Sequence, residues 1–167
     1  GEDPWLVLAD RMRVVLGSFD AEGPADAKTR RELARARAFA ALAFTHGGDA
    51  AAAAGLVRGL SDEAALPFGA RLLAAIAELS GAIDDDARDG AASYEWLETL
   101  LAEAPEPDRE LLAGAAWGTM GRYRMHRREL DRALPLLERA VAHHDAHAPA
   151  EAPRSRIYLA MALRMVG

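Results

Sequence analysis

Apolar residues recur along most of this chain at intervals of three and four, the period of an α-helix that buries one face. Asp3-Pro4 opens the first such run, which carries Trp5, Leu6, Leu8, Met12, Val15 and Leu16 and leaves through Gly17 to Gly23. From Pro24 or Ala25 to about His46 the spacing continues through Leu33, Ala36, Phe39, Ala40, Ala43 and Phe44, and Gly47-Gly48 stops it. Asp49 is placed to cap a third run through Leu56, Val57 and Leu60, whose alanines at 50 to 54 allow close packing against the helix before.

Ser61 or Asp62 is the expected start of a fourth helix, through Leu66, Leu72, Leu73, Ile76 and Leu79 to Gly81. Pro67 must then fall in its first turn or kink it. After the acidic stretch from Asp84 to Gly90, a fifth helix carries Tyr94, Trp96, Leu97, Leu100 and Leu101 until Pro105 and Pro107 interrupt it. The sixth and seventh run from about Asp108 to Arg127 and from about Glu129 to His147, with Pro135 predicting a bend in the latter. An eighth uses Ile157, Leu159, Ala160, Leu163 and Val166. The pattern predicts an all-α protein.

The sixth and seventh helices carry Trp117-x-x-Met120-Gly121 and then Ala133-x-x-x-Leu137-x-x-Ala140, an alternation of small and large residues suited to two helices crossing closely at Gly121 and Ala133. This segment resembles a tetratricopeptide repeat. Two positions depart from the family pattern: Arg124 stands where the family has Tyr, and Asp145 where a Pro closes the repeat. In the same register Ala40-Ala41, Phe44, Gly48 and Ala53 mark an earlier repeat, and Leu73-Ala74, Ala77 and Gly81 the next. The acidic insertion then breaks the ~34-residue period. Leu159-Ala160, Leu163 and Gly167 resemble the first helix of a further repeat.

The resemblance, over about residues 28–167, implies antiparallel helical hairpins stacked in a right-handed superhelix of about eight helices. It divides the chain into an N-terminal helix over 1–23, hairpins over 24–60, 61–104 and 105–148, and a partial repeat over 149–167, expected to be a fragment of a longer protein. By the same resemblance it is a protein–protein interaction module of a larger regulatory or signalling protein. Lys28 is the only lysine among many arginines, which associates the chain with a GC-rich bacterial source.

Composition agrees with helices, because the 51% of hydrophobic residues are largely alanine and only 6% are aromatic. A net charge of −6 repels nucleic acid phosphates, and no basic stripe offsets it. The chain has no cysteine for disulfides or thiolate metal sites, and no apolar run long enough to cross a bilayer, so the expected location is the cytoplasm and no membrane contact is expected.

Asp85-Asp86-x-x-Asp89 matches the spacing with which carboxylates hold magnesium in prenyl-diphosphate enzymes. A magnesium-dependent, diphosphate-processing helical enzyme is therefore the alternative reading, although Gly81 and Gly90 bracket these residues as a solvated loop. His143 and His147, four apart, share a helix face and could ligate a metal with Asp145 or His144 nearby. The same histidines also suit the negative end of a helix dipole. Gly114, Gly118 and Gly121 lie within a helical pattern and read as packing contacts, and no serine carries a nucleophile signature. No enzyme, cofactor or metal is expected.

If the repeat register holds, the first helices of successive hairpins turn one set of residues toward a concave face: Arg35, Phe39 and Leu42; then Arg71, Ala75 and Glu78; then Arg122, Met125 and His126; and last Arg154, Tyr158 and Met161. Guanidinium groups grip carboxylates while Phe, Tyr and Met supply contact area, so the expected partner is an acidic peptide, a docked helix or another domain of the parent chain. Homodimerisation through Ile157, Leu159, Leu163 and Val166 is the remaining possibility for the terminal helix.

Overall fold

A computed structural model describes residues 26–47, 50–57, 66–84 and 90–167, together with positions 7, 11, 12, 14 and 16. Among the described residues seven helices have both ends defined: α1 (Ala27–Gly47), α2 (Ala50–Val57), α3 (Phe68–Asp84), α4 (Ala91–Glu103), α5 (Glu106–His126), α6 (Leu130–His147) and α7 (Ala152–Val166). No strand occurs among the described residues. The five isolated positions are also helical, but most of the expected helix over 1–23 lies outside the described residues.

Local chemistry explains the boundaries. Asp26 caps α1, its carboxylate accepting hydrogen bonds from Thr29 N (2.8 Å) and Thr29 Oγ1 (3.0 Å), so the helix begins two or three residues later than Pro24 or Ala25. The start of the fourth expected helix moves further, from Ser61 or Asp62 to Phe68. Proline lacks an N–H and disfavours helical backbone in the residue before it, so Pro67 stands outside α3. Its carbonyl accepts from Ala70 N and Arg71 N. Pro135 is exposed in the second turn of α6, and the helix continues past it to His147.

Between α5 and α6 the chain reverses in three residues. Arg128 N donates to Met125 O and Glu129 N to Arg124 O, the paired bonds of a Schellman turn, and Arg128 takes the left-handed position with φ 62°. This reversal sets an antiparallel register that three glycines record. A side chain at Gly121 would meet Leu137, at Gly118 Ala140, and at Gly114 His144, so the contact moves down one helix as it moves up the other. The expected crossing of Gly121 with Ala133 is thus corrected. Ala133 lies one turn nearer the reversal, buried with Met125, Leu137 and Ala162.

Consecutive helices pack as pairs, and α1, α3, α5 and α7 also contact one another in sequence, whereas α2, α4 and α6 do not. The core accordingly forms three adjoining patches. The alanine-rich one joins α1, α2 and α3 through Ala41, Phe44, Ala53 and Ala77. The largest joins α3, α4 and α5, with Leu72, Ile76, Leu79, Leu97 and Leu100 fully buried. Arg124, at the position where the resemblance has Tyr, lies 4.1 Å over the Tyr94 ring and bonds Glu129 at 2.6 Å, tying α4 to the α5–α6 turn.

Candidate functional site

Seen along α5, residues 108, 111, 112, 115, 118, 119 and 122 fall at helical spacing on one stripe, and that stripe is the floor of a groove. Its larger hollow encloses about 300 Å³. Leu73 and Ile76 of α3 and Phe39 of α1 form one wall, and Arg154, Ser155 and Tyr158 of α7 the other. A smaller hollow of about 200 Å³ continues past Leu73 and Leu112 to Arg35, Phe68 and Asp108. Phe39 and Leu111 border both hollows and are 56% and 72% exposed, so two large apolar side chains meet solvent side by side at the groove.

The polar groups of the larger hollow gather at its α7 end. There the Arg122 guanidinium lies 4.7 Å from the Tyr158 ring centre, a cation–π contact, with Arg154 and Glu151 beside it. His144 Nδ1 and Ser155 Oγ are 2.6 Å apart and both residues are buried, so this hydrogen bond joins the end of α6 to the start of α7. Arg156 with Asp145, at 2.7 Å, makes a second link between those helices.

Against α5, His143 packs edge-on to Trp117 and 4.7 Å from the ring of His147, which in turn faces Glu110 at 3.4 Å. The His143 Nδ1 is buried without a hydrogen-bond partner. Burial, with the neighbouring His147 and His144, holds its pKa below the ordinary histidine value. Among the described residues no group of three or more ligating side chains is placed to hold a metal ion. Asp85, Asp86 and Asp89 lie outside the described residues, as does the side chain of Leu42.

Of the residues expected on one concave face, the structure brings Phe39, Arg122, Arg154 and Tyr158 together in the larger hollow and Arg35 into the smaller one. Arg71 is elsewhere, between Phe68 (5.7 Å) and Trp96 of α4 (5.8 Å). It precedes Leu73 by two residues, more than half a turn around α3, so it points away from the groove when Leu73 points into it. Glu78 stands in the same relation to Ile76 and does not line the groove, and Ala75 is core. Met125 is also corrected, being 4% exposed under α6 and α7. His126 and Met161 are exposed and line neither hollow.

The lining residues that the repeat register does not place in the groove include Leu73, Ile76, Leu111, Leu112, Thr119, His144, Glu151 and Ser155. The α5 stripe was the available signal for Leu111, Leu112 and Thr119. Among family models, curated proteins and solved structures, no match to this chain is found. No described helix is long and apolar enough to cross a membrane.

Proposed function

We propose that the protein is a protein–protein interaction module of tetratricopeptide type that docks a partner segment in the groove along α5. The carrying observation is the groove itself, an apolar trough with arginines at its ends and large apolar side chains left exposed on its rim. Contact among α1, α3, α5 and α7, without contact among α2, α4 and α6, supports a stack that curves with the odd-numbered helices inside, as a right-handed superhelix of hairpins does. The partner is an acidic segment, either of another protein or of another domain of a larger bacterial regulatory protein, and the cysteine-free composition suits a cytoplasmic setting.

The test begins with peptides selected from a random display library against the folded chain. Arg122→Glu should weaken binding of an acidic ligand by more than raised salt does, because a close guanidinium–carboxylate contact is screened less than a diffuse field. Circular dichroism confirms that the variant stays helical. Equal affinity of wild type and variant removes Arg122 from the site. The exposed Ile157, Leu163 and Val166 support a second reading, self-association through α7, which sedimentation over a range of concentrations distinguishes.

A further inference from the structure

The groove holds two hollows that share Phe39 and Leu111 in their lining. We propose that its ligand is a short extended peptide segment bearing two apolar side chains, one for each hollow, with a carboxylate beside the one seated nearest α7. This rests on the peptide-docking reading and deepens it by naming the recognised pattern.

Three observations carry the proposal. The floor runs along one helix from Asp108 to Arg122, about 21 Å at 1.5 Å per residue. An extended segment of about six residues spans that length. The hollows of about 300 and 200 Å³ each have room for a large apolar side chain. Their middles lie roughly 10 Å apart along α5, about three residues of extended chain.

Second, Phe39 and Leu111 stand at the junction of the hollows, so apolar groups seated on either side would remove both rims from water at once. Third, the charges are placed unevenly. Arg35, Arg122 and Arg154 outnumber Glu151 and Asp108 in the lining, although the whole chain carries −6, and two of those arginines sit at the α7 end. Contact with Tyr158 steadies Arg122, so less side-chain freedom is lost when it grips a carboxylate.

The experiment uses the intact chain and ligands drawn from a random 12-residue peptide display library, with affinities read by fluorescence anisotropy. The expected ligands carry two apolar residues about three apart and an acidic residue next to one of them. Replacing either apolar residue by Ala should lower affinity about tenfold, a change made on the peptide and therefore independent of protein folding. Exchanging the acidic residue for Gln should cost wild type at least about fivefold more than it costs Arg122→Gln, the coupling expected of a direct pair. Ligands that bind with one apolar residue alone, or whose carboxylate does not couple to Arg122, overturn the two-hollow pattern and leave peptide docking standing. A library that yields no ligand at all overturns both.

Discussion

Gly118 and Gly121 lie one turn apart on the same helix, yet the same substitution should move stability in opposite directions. Replacing glycine by alanine inside a helix gains about 0.5–1 kcal/mol from helix propensity and the restricted unfolded chain. At Gly118 the new methyl meets only the Ala140 Cβ at 3.7 Å, an ordinary contact, so the gain is kept. At Gly121 it would lie 2.7 Å from Leu137 Cγ, 2.8 Å from Cδ2 and 3.3 Å from Leu137 N. Carbon pairs prefer about 3.5–4.0 Å, and Leu137 is fully buried, so its side chain or α6 itself must shift. Overpacking of this kind costs about 1–3 kcal/mol, which exceeds the propensity gain by up to about 2.5 kcal/mol. At about 2–4 °C per kcal/mol for a domain of this size, Gly118→Ala should raise the thermal midpoint by a few degrees. Gly121→Ala should lower it, and Gly121→Leu should lower it further. Far-ultraviolet circular dichroism during thermal and urea unfolding reads both. A gain in both variants would refute the α5–α6 register.

Three further outcomes are expected. Arg128→Gly should stabilise by about 0.5–1 kcal/mol, because only glycine holds φ 62° without strain from Cβ; an unchanged urea midpoint would contradict the Schellman turn. His143 has a folded-state pKa below its ordinary value of about 6.5, so its contribution is present above that pH and is lost as the pH falls from there through the folded value. The thermal midpoint should therefore fall more steeply on acidification in wild type than in His143→Gln, with His144, His147 and Glu110 common to both; parallel profiles would show that His143 does not titrate this way. Millimolar magnesium or calcium should leave the midpoint unchanged, whereas a rise abolished by Asp85→Asn together with Asp86→Asn would support the cation-binding alternative.

Helix content and most boundaries were legible because one buried face imposes a period and because glycine and proline act locally. Pro105 ends α4 and Gly47 lies at the end of α1. Pro67 was the informative exception: apolar spacing runs through Leu66 into α3, but backbone chemistry moved the start to Phe68. The groove was harder to read, since α3 and α5 each bury more than one face and apolar spacing alone does not say which face meets a neighbour and which meets a hollow. Apolar spacing therefore puts Arg71 in the groove, whereas it lies between Phe68 and Trp96, two residues round the helix from Leu73. Met125 continues the groove stripe by three residues, and only the position of α7 across the end of α5 shows why it is covered. The partner of Gly121 depends on the length of the turn at Arg128, a left-handed residue that propensity does not announce.

The proposed docking of partners in the groove along α5 can be mapped residue by residue. The most direct measurement is a two-dimensional amide nuclear magnetic resonance titration of the intact chain with a display-selected acidic peptide. Docking in the groove predicts that the largest shifts fall on Phe39, Leu111, Ala115, Thr119, Arg122 and Tyr158, with little change along α2 and α4. Shifts confined to the outward positions Ile157, Leu163 and Val166, or spread over α4, would contradict docking in the groove and place binding on another face.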